Sequence, residues 1–146
     1  SDVCSSDLVV LLVGPSAVGV DIEMPGAARL ADLNHVVGKG GLERIGAAGA
    51  DPTQLWMQME AVVKTGSEGI VAASDLAFED ERTALFRGRR VYLHPVRCTE
   101  RLTCWCAMTA PWAEGAPRVH QYTAEALAEL LASPSDRRIP VREGNP

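Results

Sequence analysis

Val9–Val13 (VVLLV) is a continuous apolar run that stops at Gly14-Pro15-Ser16, and a second short run, Ala17–Glu23 (AVGVDIE), follows it. Two short runs broken by turn residues predict a buried β-hairpin. A strand repeats every two residues, so Asp21 and Glu23 fall on one face and make it acidic. From Pro25 to Ala50 the larger apolar residues (Leu30, Leu33, Val36, Val37, Leu42, Ile45) are scattered among Ala and Gly, which predicts short helices and loops. Asp51-Pro52 then opens a helix, because an aspartate satisfies unpaired N–H groups at a helix start and proline suits the first turn. That helix runs from Thr53 to Lys64 and ends at Gly66 or Gly69. Its residues Trp56, Glu60 and Lys64 recur every four positions and share one face. Strands are predicted over Arg90–Val96 and Leu102–Met108, with a last helix over Ala124–Leu131 capped by Thr123. Arg87, Arg89 and Arg90 around Gly88 read as a solvated hairpin turn, and the polar stretch after Pro134 as a loose tail. This order predicts an α+β fold in which an antiparallel sheet packs with one main helix.

Composition narrows the function classes. At 146 residues the chain fits one domain, and 47% hydrophobic with 23% charged residues is the balance of a globular protein. No apolar run is long enough to span a bilayer, so no membrane insertion is expected. Fourteen basic against nineteen acidic side chains give a net charge of -5, without the basic footprint that a nucleic-acid partner requires. The cysteines are Cys4, Cys98, Cys104 and Cys106, and the opening residues show no secretory signal pattern, so reduced thiols and a cytoplasmic location are expected. Ser1–Leu8 (SDVCSSDL) reads as translated sequencing adapter, which sets Cys4 aside. The expected organisation is therefore an artefact over 1–8, one domain over 9–133 and a tail over 134–146.

Asp21, Glu23 and Glu60 form an oxygen-donor set of the kind that suits Mg²⁺, which takes carboxylates together with substrate phosphate oxygens. Lys64, one helical turn beyond Glu60, points the same way and can hold a phosphate as a point charge. A carboxylate beside such a metal can also take a proton from an attacking hydroxyl. Spacing alone leaves a second reading open: Glu60 and Lys64 as a solvated i,i+4 pair worth a few tenths of a kcal/mol, roughly, and Asp21 and Glu23 as the wet face of a strand. A different class of function is a thiolate metal site built from Cys104 and Cys106, with Cys98 and His94 nearby. That spacing fits no zinc knuckle, and buried cysteines commonly pack as small hydrophobes. His35 and His120 lack a partner motif, and Trp56, Trp105 and Trp112 read as packing residues.

The segment Val18–Glu23 (VGVDIE) resembles the Gly-Ile/Val-Asp-Ile/Val-Glu motif of the 4'-phosphopantetheinyl transferases. Leu55–Ile70 (LWMQMEAVVKTGSEGI) is similar to the family's second motif, Trp-Thr/Ser-x-Lys-Glu-Ala/Ser-x-x-Lys with trailing glycines. The two stand in the family's order and at its separation, and Arg90–Met108 looks like its closing strands. The resemblance covers most of residues 9 to 110 and favours the two-lobed branch, of which this chain would be the C-terminal part, with most of the N-terminal lobe missing. It implies one lobe of that fold, with Asp21, Glu23 and Glu60 as Mg²⁺ ligands. It further implies Glu60 as the base for a carrier serine and Lys64 as the phosphate contact. Coenzyme A would be the substrate, an acyl or peptidyl carrier protein the partner, and 3',5'-ADP the leaving product. Two positions depart from the pattern: Met59 replaces the motif lysine, and Met57 the small hydroxyl residue. These departures, with the missing lobe, make a catalytically silent carrier-binding domain the alternative.

Overall fold

The computed structural model describes residues 10, 12–28, 30–37, 51–66, 70–99 and 102–111, together with Ala126, Ala128, Glu129 and Ala132. Within them the chain forms strand β1 (Val18–Ile22), helix α1 (Leu30–Val37) and the main helix α2 (Pro52–Val63). A 3-10 turn over Ile70–Asp75 leads into β2 (Leu76–Phe78), β3 (Thr83–Phe86), β4 (Arg89–Arg97) and β5 (Thr103–Met108). The strands make one sheet in the order β1-β5-β4-β3-β2, every neighbouring pair antiparallel. The protein is thus α+β, an antiparallel sheet packed against one main helix.

Helix α2 starts where the sequence predicts. Asp51 has extended backbone and its carboxylate accepts from the Gln54 N–H at 2.8 Å, with Pro52 filling the first turn. The helix buries Leu55, Met59 and Val62 against Leu93, Trp105 and Ala107 of the sheet, forming the main core. The other face of the sheet holds a smaller cluster around Val96, Cys104 and Cys106.

Three expectations are corrected. The first hairpin does not form among the described residues: Val10 and Leu12 carry no strand pairing and pack on Val96, Cys104 and Cys106 instead. β1 takes β5 as its partner, in a ladder running from Val18↔Met108 to Ile22↔Cys104, and Val10 and Leu12 pack on one face of it while Val13 stays exposed. Next, β1 ends at Ile22, one residue short of Glu23. The strand stops because Met24–Ala27 is a tight turn, with Pro25 at its second position, Gly26 at φ 77° and the Ala27 N–H donating to the Met24 carbonyl at 3.0 Å. Pro followed by a left-handed Gly is the type II signature. Third, β2 and β3 are additional strands, each too short to show a period. The hairpin turn at Gly88 is present: Arg87 at φ 51° and Gly88 at φ 75° make the two-residue loop that the twist of β3 and β4 favours. The expected helix over 124–131 has only Ala126, Ala128 and Glu129 among the described residues, all helical. Residues 1–8 and 134–146 and the cap Thr123 lie outside them, as do Trp112 and His120.

One close approach fixes the layers. A Cβ on Gly19 would overlap the Ala61 carbonyl oxygen of α2 and stand 2.9 Å from Lys64 Cβ and 3.0 Å from the Thr65 nitrogen. Strand backbone therefore lies directly on helix backbone, which only glycine allows. Gly19→Ala is expected to destabilise the fold by about 3 kcal/mol, the upper range for overpacking a core. Gly88→Ala, where space is open and only the positive φ opposes a side chain, is expected to lose about 1 kcal/mol. Urea denaturation of the two variants checks the difference, and equal losses would contradict the close approach.

Candidate functional site

The Gly19 crossing sets Asp21, two residues further along β1, beside the last turn of α2. Lys64 Nζ lies 2.6 Å from Asp21 Oδ1 and 3.1 Å from Glu60 Oε2, so one ammonium bridges a strand carboxylate and a helix carboxylate. Trp105 stands opposite Asp21 in the β1–β5 register. Cross-strand partners share a face, so the indole of this buried residue and the carboxylate lie together under α2. Asp21 keeps only 9% of its surface exposed, and its second oxygen, Oδ2, is buried with no hydrogen-bond partner. Past β1 the chain runs back toward the start of α2, where the Ala28 N–H donates to Thr53 Oγ1 at 3.3 Å. Glu23 sits half-buried on this stretch.

The four residues singled out in the sequence are therefore neighbours, in unequal roles. Asp21, Glu60 and Lys64 are in direct contact. Glu23 acts through its charge, which together with that of Glu60 pushes the Asp21 carboxyl upward. Burial is the largest influence on Asp21, and the bond and charge of Lys64 offset it only in part, so the carboxyl is pushed up to about 6. Lys64 loses some hydration, but its bonds to Asp21 and then Glu60 outweigh that and hold its ammonium above the ordinary lysine range. The site thus carries more negative charge than its single lysine balances. Sequence reasoning missed Gly19, whose signal is its place two residues before Asp21, and Trp105, whose nearness to Asp21 follows only from the strand register.

A hard divalent cation suits this donor set, since Asp21, Glu23 and Glu60 offer oxygens alone and Asp21 Oδ2 lacks a partner. Among the described residues no three His, Cys, Asp or Glu side chains are already gathered into a metal cage. In the carboxylate set it is the Lys64 ammonium that stands between Asp21 and Glu60. The thiols lie on the other face of the sheet, where Cys104 and Cys106 are buried and Cys98 packs against them. Hydrogen bonding with Cys106 and burial push the Cys104 thiol up to about 12, while the bond from Cys104 lowers the Cys106 thiol, and both side chains pack as small core hydrophobes. On that same face a polar hollow of about 370 Å³ lies between Glu79, Asp80, Thr83, Arg90 and Tyr92. Glu79 and Arg90 satisfy each other there, at 2.7 and 2.9 Å.

No protein-family model, curated protein or solved structure matches the chain. Among the described residues no helix is long and apolar enough to cross a membrane.

The raised Asp21 carboxyl makes a pH prediction. An unfolded aspartate titrates near 3.8 and the folded one at about 6, so between these values the folded state holds a proton that the unfolded state has lost. Stability from this group is full below pH 4 and is lost as pH rises through 6, a swing of about 3 kcal/mol. Asp21→Asn, measured against the unaltered protein with a chelator present, is expected to gain that amount in relative stability between pH 4 and pH 7. Parallel curves would show that Asp21 titrates normally.

Proposed function

We propose that the protein is the catalytic part of a 4'-phosphopantetheinyl transferase of the two-lobed branch, moving the phosphopantetheine arm of coenzyme A onto a carrier-protein serine. The observation that carries this reading is the union of the two motif segments at one place: Gly19 and Asp21 from the first meet Glu60 and Lys64 from the second. Asp21, Glu23 and Glu60 would hold Mg²⁺. When bound, that ion supplies positive charge to the pyrophosphate oxygens of coenzyme A. Glu60, partly exposed on the last turns of α2, accepts the proton of the carrier serine. The serine oxygen attacks the β-phosphate, a new P–O ester forms, and the bond to 3',5'-ADP breaks. Lys64, with 45% of its side chain exposed, is long enough and free enough to follow the phosphates. A cytoplasmic location fits this reading.

Met59 supports a second reading, a carrier-binding domain without transferase activity. Its side chain is wholly buried in the main core, so the family's lysine charge is absent at this position. Mass spectrometry of an apo carrier protein incubated with coenzyme A and Mg²⁺ separates the two. Transfer is expected to add the phosphopantetheine mass, and Glu60→Ala to slow it by roughly 100-fold or more, the range for removing a general base. Carrier binding with no mass gain would leave only the second reading.

A further inference from the structure

Lys64 occupies the place where a cation would meet both Asp21 and Glu60. Its ammonium makes the shortest ion pair among the described residues, 2.6 Å to Asp21 Oδ1, and reaches Glu60 Oε2 at 3.1 Å. The Asp21 side chain is 10% exposed, and its Oδ2 is buried without a donor. The ammonium therefore leaves one lone-pair set of the buried carboxylate unanswered. A cation bound through both Asp21 oxygens or bridging Asp21 to Glu60 would answer it, but it cannot share the space with the lysine. Two like charges within about 4 Å at a partly buried site repel strongly. The lysine, by contrast, is the mobile partner: it ends α2, has 45% of its side chain in solvent and has a flexible four-carbon stem.

We propose that Lys64 is a built-in counter-ion. It neutralises Asp21 and Glu60 until a divalent cation takes its place, and the displaced ammonium then turns outward to meet the anionic ligand that the cation attracts. Cation binding and phosphate binding are thereby coupled through one side chain. By linkage, each favours the other. The inference rests on the transferase reading for the identity of the anion, a coenzyme phosphate. The exchange of lysine for cation stands on the geometry alone.

Two measurements on the full chain test it. Amine acylation of the unaltered protein, read by peptide mass spectrometry, reports the exposure of Lys64. Added Mg²⁺ is expected to raise its labelling severalfold relative to Lys39, the chain's other lysine. In parallel, Mn²⁺ binding followed by electron paramagnetic resonance, without coenzyme A, is expected to be about tenfold tighter in Lys64→Gln, a shift typical of coupling between sites. Lys64→Arg, which keeps the charge, is expected to stay near the unaltered protein. The glutamine retains an N–H for Asp21, and the labelling arm needs no variant at all, so a folding defect does not blur the result. Mn²⁺ binding with unchanged affinity in Lys64→Gln and unchanged Lys64 labelling would overturn the exchange yet leave the transferase reading intact. Absence of cation binding in every protein would overturn the exchange as well, and the carrier assay would then decide the transferase reading separately.

Discussion

Everything at this site depends on the contact of β1 backbone with α2 backbone at Gly19. Among the described residues β1 is an edge strand, paired only with β5, so its second anchor is the helix beneath it. With no side chain between them the two elements come close enough that Asp21 is forced out of water two residues later. A carboxylate so placed must find a proton, a cation or a donor, because burying an unpaired charge is far more costly than burying a paired one. Lys64 lies on the next turn of the same helix and answers that demand. The fold thus creates the electrostatic problem and its first solution with a single glycine.

That solution is partial by construction. One ammonium faces two carboxylates directly, and a third adds its field from the stretch after β1. Lys64 keeps much of its hydration and its bond to Asp21 does not fully offset the burial, which is why the aspartate takes up a proton far more readily than an exposed one. An ion pair assembled only for stability would have both partners saturated. Here one buried oxygen is left over, and surplus negative charge accumulates where strand and helix meet. Such a place draws a proton or a cation, and the choice between them shifts with pH.

Much of the frame was legible because it is written in local chemistry. Asp51-Pro52 marks the start of α2, the apolar runs mark β4 and β5, and the residues around Gly88 mark the turn before β4. The pairing of β1 was not legible: two adjacent apolar runs suggest a hairpin, whereas the actual partner, β5, lies more than eighty residues downstream and is chosen by the ladder it completes. β2 and β3 escaped because strands of three and four residues show no period. In the site, Glu60 and Lys64 could be paired from their spacing on one helix. Bringing Asp21 to them needs the sheet register and the missing Cβ of Gly19. Glu23 was placed on the strand because nothing in a period of two anticipates the Pro25-Gly26 turn that ends it.

The shape of α2 explains why so few residues can act here. The helix is buried along most of its length, between the sheet on one side and α1 and the 3-10 turn on the other. Only Pro52, Gln54, Trp56 and Glu60 within it, with Lys64 at its end, retain appreciable exposure. That leaves a narrow strip at the four-residue spacing of a helix face, and its charged members are Glu60 and Lys64. Position 59 points into the core, where a lysine ammonium would have to be desolvated among Leu55, Val62 and Trp105, so a methionine there is what packing demands. Any positive charge that α2 offers to an anion at this site must then come from Lys64, the same side chain that already neutralises Asp21. The residue serves two partners that cannot be satisfied at once, and it is this conflict that makes the cluster responsive to what binds.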